Sequence, residues 1–146
     1  MNTKAIGERT GAIILAEFLK AGFPVLLPFG DNQRYDLVVE VNGVFQRVQC
    51  KTASVHRGGA VIRFNTSSTN PPARSKLRGY RNQADLFAVY SDHTQQVYVL
   101  GVDDCGEGGV WLRLAPVKNN QEMHVRKADD YLLEVWAARV RGPQEL

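Results

Sequence analysis

The spacing of apolar residues changes twice along this chain. From residue 4 to about 21 it is helical, with Ala5, Ala12, Leu15 and Leu19 on one stripe. Thr3 is placed as the N-cap, and Gly22 followed by Pro24 as the stop. Glu8 falls in that stripe, while Glu17 shares the outer face with Lys20 and Ile13. An inward carboxylate needs a partner, because an unpaired buried charge is costly. The plainer reading is that Glu8 rests in the favourable end of the helix dipole. From residue 24 the period falls to two, with short β-like runs at 24–29, 35–41, 44–52 and 61–64. A looser segment at 65–72 leads to a short basic helix near 75–83. Strands resume at 86–90, 97–102 and 110–114, separated by aspartates and glycines. A last helix spans about 128–139, with Tyr131, Leu132, Val135 and Trp136 on its apolar face. Helix, strand meander, helix and further strands predict one α/β domain over residues 1–146 with a mixed sheet.

Composition narrows the class. The chain has 146 residues, 44% hydrophobic and 23% charged, a soluble globular balance that excludes disorder and collagen-like repeats. No apolar run approaches the roughly 18 residues of a membrane span, so no membrane partner is expected. The first residues lack an apolar signal region, and Cys50 and Cys105 are too few for a disulfide framework. A reduced, cytoplasmic setting is expected. The net charge is only +3, but its distribution is lopsided. Between Glu40 and Asp85 there is no acid, while Arg47, Lys51, Arg57, Arg63, Arg74, Lys76, Arg78 and Arg81 give +8 and leave −5 elsewhere. Such a field draws a polyanion to one side of the molecule; a solvated basic face carries the same signature. Tyr80 among the bases of 74–81 suits phosphate contact and stacking. His56, His93 and His124 lack metal-ligand spacing, Asp103-Asp104 reads as a turn, and Trp111 and Trp136 read as core or interface aromatics.

Asn42-Gly43 between two alternating runs is a strong signal for a two-residue type I′ hairpin. With those two as the loop, Val41 opposes Val44 and opposed residue numbers sum to 85. Asp36 then faces Gln49, and Lys51 lies diagonally within about 7–8 Å on the same side. Tyr35 with Cys50, and Leu37 with Val48, take the other, apolar side. An acid, an amide and a lysine on one face can hold a hard cation and a water. The ordinary wet face of a hairpin shows the same residue types.

Three stretches carry a family resemblance: Gly7-Glu8-Arg9, then Arg34-Tyr35-Asp36-Leu37-Val38, then Val48-Gln49-Cys50-Lys51-Thr52. The chain resembles the PD-(D/E)XK nuclease superfamily, within it the small group I intron homing endonucleases of the cyanobacterial transfer-RNA intron type. The segments 85–90, 96–100 and 112–121 point the same way. The resemblance implies a restriction-endonuclease-like α-β-β-β-α-β core, a mixed central sheet flanked by helices. It implies Asp36 as principal metal ligand, Gln49 through its amide oxygen where Glu or Asp is usual, and the Cys50 backbone carbonyl. Lys51 is the active-site lysine, and Glu8 a further ligand or an orienting group. The implied cofactor is Mg²⁺ or Mn²⁺, and the implied partner double-stranded DNA. Arg34, Arg57, Arg63, Arg74, Lys76, Arg78 and Arg81 are the expected DNA contacts. The implied assembly is a homo-oligomer, dimer or tetramer, cutting phosphodiester bonds at a long specific site. A Holliday-junction-resolvase-like nuclease and a non-catalytic DNA-binding module on the same fold are the alternatives.

Overall fold

The computed structural model describes residues 2–67, 83–116 and 125–142. The first helix, α1, spans Thr3–Lys20. Its cap is Asn2, whose Oδ1 accepts the Ala5 N–H at 2.8 Å, rather than Thr3. Gly22, at φ 91°, ends the turn that follows, as its freedom in the left-handed region allows. The helix is rotated from the expected stripe. It buries Thr10, Ile14 and Phe18, with Ile13 and Leu15 alongside, and leaves Ala12 and Leu19 outward. Ile14 and Phe18 bring more apolar area than the alanines, and area sets which face turns in. Glu8 is consequently exposed, not inward.

The strands are β1 (Val25–Leu26), β2 (Leu37–Val41), β3 (Val44–Thr52), β4 (Ser54–His56), β5 (Val61–Phe64), β6 (Leu86–Ser91), β7 (Gln96–Gly101) and β8 (Val110–Arg113). Five of them form a sheet in the order β1-β2-β3-β6-β7, in which β3 and β6 are parallel and the other pairs antiparallel. The other three form a second sheet, β4-β5-β8, where the sequence pattern predicts one mixed sheet and no strand at 54–56. The hairpin register holds. Leu37 pairs with Val48 through to Val41 with Val44, and Asn42 and Gly43 turn at φ 53° and 79°. The final helix, α2, spans Leu133–Arg141 after a 3₁₀ turn at Ala128–Tyr131, and buries Leu133, Trp136 and Ala137. The basic helix expected at 75–83 lies outside the described residues except for Gln83.

Both described helices cover one face of the five-stranded sheet. Phe18, Phe23 and Trp136 pack there with ring centroids 5.0–6.3 Å apart, over Leu37, Val39, Val48 and Ala88. Such aromatic pairs contribute about 0.5–1.5 kcal/mol beyond area burial. The opposite face, with Phe87, Val89, Tyr98 and Leu100, meets Ile62, Phe64 and Leu112 of the second sheet. No described helix is long and apolar enough to cross a membrane.

Candidate active site

The β2–β3 ladder stops one residue short of Asp36. Its N–H donates to the Val48 carbonyl at 2.8 Å, and its carboxylate Oδ2 accepts the Cys50 N–H at 2.7 Å. The carboxylate thus replaces a backbone acceptor where the pairing frays. The expected cross-strand pair of Asp36 with Gln49 does not form. Tyr35, leaving the ladder, packs in the layer of Ala53 and the second sheet, away from Cys50, which lies under the helices. Oδ1 of Asp36 makes no hydrogen bond among the described residues, and neither does the Gln49 side chain.

Lys51 emerges on the face shared with the second sheet. Its strand neighbour there is Val89, with Phe87 beside Gln49, and both neighbours are buried. That apolar bed lowers the Lys51 pKa to about 8; the Asp36 charge pulls it back up, and the Arg34 charge pushes it down further. Its Nζ donates to the Ser67 carbonyl at 3.4 Å. Asp36 responds in the opposite sense. Crowding by protein raises its carboxyl pKa above the usual value, and the Cys50 N–H and the Lys51 charge draw it down. Burial raises the Cys50 thiol pKa, so its sulfur stays protonated and inert. The structure therefore brings Asp36, Cys50, Lys51 and Arg34 into one electrostatic group.

Thr10 ties α1 to this end of the sheet, its hydroxyl 2.7 Å from that of Thr52. Arg9 adds a two-pronged contact to Asp92 in the β6–β7 turn, at 3.1 and 3.4 Å. Glu8, two residues before Thr10 on the same helix, faces solvent. Among the described residues no three His, Cys, Asp or Glu side chains gather. A cation here would rest on one carboxylate and neutral oxygens: Asp36 Oδ1, the Gln49 amide and the Cys50 carbonyl. An all-oxygen set of that kind suits Mg²⁺ or Mn²⁺ and not a thiolate-loving metal.

The basic stretch divides into different duties. Arg47 is structural: its Nε meets Asp85 Oδ2 at 3.1 Å and its N–H meets the same oxygen at 2.7 Å, holding the starts of β3 and β6 together. Arg63 donates to Asn65 Oδ1 at 2.8 Å and the Gly108 carbonyl at 3.1 Å. It lies so close to Gly109 that a Cβ there would fall 2.5 Å from its Nη2. Arg57 stacks over Trp111, its guanidinium carbon 5.4 Å from the ring centre. Arg74, Lys76, Arg78, Arg81 and Tyr80 lie outside the described residues, as does His124. Trp136 is core, but Trp111 is 45% exposed. Trp111, Arg113 and Arg126 line one groove, a set that lies outside the basic stretch between Glu40 and Asp85. The alternation of Val110-Trp-Leu-Arg113 puts Trp111 and Arg113 on one side of a strand.

The frayed hairpin end presents an acid and a desolvated lysine on a mixed sheet under two helices. The chain belongs to the PD-(D/E)XK endonuclease family, whose model matches residues 1–134. It is similar to a solved bacterial homing endonuclease, I-Ssp6803I, at 26% identity and a TM-score of 0.72, over 97% of this chain and 95% of that one. No curated protein matches it.

Proposed function

We propose that this chain is a divalent-metal-dependent DNA endonuclease that hydrolyses phosphodiester bonds at a long specific site in duplex DNA, working as a homo-oligomer. The observation that carries the reading is the Asp36–Lys51 pair. One carboxylate oxygen is fixed by the Cys50 amide and the other has no hydrogen bond among the described residues, beside an amine whose pKa has fallen to about 8. Family membership and the likeness to a homing endonuclease support the same substrate.

Asp36 and Gln49 would hold Mg²⁺, which would supply Lewis-acid stabilisation of the phosphoryl oxygens and lower the pKa of a bound water. The chain's own residues do the rest. The Cys50 N–H fixes the Asp36 carboxylate plane. Gln49, neutral, keeps the ligand charge low, so cation affinity is modest and a second tightly held ion is disfavoured. Lys51, part neutral near pH 8, accepts a proton from the attacking water, and Arg34 beside it meets the phosphate charge. A single domain of this size spans few base pairs, so a long site calls for more than one copy. The exposed Leu27 and Phe29 beside β1 are available to such a contact.

The test is cleavage of supercoiled plasmids carrying candidate sites, with Mg²⁺ and with EDTA. Wild-type protein should nick or linearise DNA only with the metal. Asp36→Ala and Lys51→Ala should each lose at least about 10³-fold in rate while duplex binding stays within a few-fold. Retained cleavage in either variant removes the site assignment. Preference for four-way junctions over linear duplex turns the substrate to a resolvase type, and binding without cleavage under any divalent ion leaves a DNA-binding module.

A further inference from the structure

The outer face of the second sheet is built differently from its inner one. Ile62, Phe64, Val110 and Leu112 turn inward, while Ser54, His56, Arg63, Trp111 and Arg113 share the outer face by pairing and alternation. The strands β4, β5 and β8 contain no acidic residue. Trp111 is the centre of this face. His56 meets its ring edge-on at 5.1 Å, and Arg57 and Arg63 lie over it at 5.4 and 5.6 Å. Beside it runs a groove of about 330 Å³ whose charged lining among the described residues is Arg57, Arg113 and Arg126, without a carboxylate.

We propose that this face docks duplex DNA, with Trp111 holding the Arg57 guanidinium in a fixed plane and the groove between Arg57, Arg113 and Arg126 taking the phosphate backbone. The inference rests on the endonuclease reading above and adds a surface to it. A guanidinium stacked on indole has already lost much of its rotamer freedom, yet its N–H donors stay free for phosphate oxygens. Neither Arg57 nor Arg113 has a hydrogen-bonded side-chain partner among the described residues. Arg63 is committed to Asn65 and Gly108 and serves as the support on the other side of the ring.

Chain geometry ties this face to the chemistry. Strand β3, carrying Lys51, runs through Ala53 into β4, and Arg57 follows directly. Six residues span at most about 20 Å, or roughly six base-pair steps of duplex. Lys51 and Arg57 therefore lie no farther apart than a short stretch of one duplex.

Binding of random-sequence duplex DNA in EDTA tests this, with emission of the tryptophans as second readout. Arg57→Gln and Arg113→Gln should each weaken binding on the order of tenfold and lower the salt dependence by about one counterion. Lys20→Gln, on the far end of α1, should stay within twofold. DNA should quench the emission of wild-type protein and leave Trp111→Phe, which keeps only buried Trp136, unchanged. Circular dichroism melts certify that each variant is folded. Wild-type binding that both arginine variants match within twofold, or that Lys20→Gln weakens equally, overturns the docking face and leaves the endonuclease reading standing. A wild-type protein that neither binds nor cuts duplex DNA at any salt overturns both.

Discussion

On the five-stranded sheet, Asp36 and Lys51 sit partly out of water, and their pKa values move toward each other, the acid up and the amine down. On the three-stranded sheet, Arg57 stands in solvent against an exposed tryptophan, its charge secure because a guanidinium does not lose its proton. The two regions share a buried layer and are joined at Ala53, but they handle charge in opposite ways. Proton transfer needs groups whose protonation is finely balanced, which desolvation supplies. Gripping a phosphate needs a cation that never titrates, and exposure costs it nothing.

The widest separation between the regions is kinetic. Substitution of Asp36 or Lys51 should abolish cleavage and spare binding, whereas Arg57→Gln and Arg113→Gln should act through binding. Next in size is a test of whether the second sheet depends on the first. Phe64 is 2% exposed and stacks edge-on against Phe87 across the layer at 5.6 Å. Phe64→Ala should cost about 3–5 kcal/mol in a denaturant melt, lowering the midpoint of one shared transition. A separate early transition for the second sheet would break the picture of a common layer. A smaller loss, about 1–2 kcal/mol, is expected for Gly43→Ala, where φ is 79° and strain alone acts because nothing lies within 4 Å of the added carbon.

The finest test is the titration of Lys51, followed by NMR. Its midpoint should stand near 8, fall further in Asp36→Asn, and rise in Arg34→Gln, since the acid holds the proton on and the arginine repels it. The same shift has a stability consequence. Between about pH 8 and 10.5 the unfolded chain holds a proton that the native lysine has released, so stability from this group rises with pH across that window. Below about pH 8 the charged, desolvated amine is a constant cost. Lys51→Met should therefore melt above wild type at pH 7, with the gap closing toward pH 10.5.

Much of the architecture was legible in advance, and for local reasons. Asn42-Gly43 accepts the positive φ of a type I′ turn, so the β2–β3 register follows from two residues. Gly22 and the alternating runs set most element boundaries in the same way. The rotation of α1 was not legible, because ranking Ile14 and Phe18 over Ala5 and Ala12 depends on the surface they meet. Nor was β4, a three-residue strand with an exposed valine that becomes a strand only by pairing with β5. At the site, the identities of Asp36, Gln49 and Lys51 stood out by position. Their environment did not: the hairpin's early fraying puts the Cys50 amide on the carboxylate, and the apolar bed beneath the lysine comes from distant β6.

The sequence by itself determined the hairpin, its register and the order of acid, amide and amine along it, since turn stereochemistry and the two-residue pleat act over neighbouring residues. Only tertiary structure decided what those groups are chemically. The Lys51 pKa depends on Val89 and Phe87 from a parallel strand some 35 positions away, and the duty of Arg57 on a tryptophan more than 50 positions on. Desolvation and stacking are properties of what a side chain is buried against, and that is settled only when the layers close.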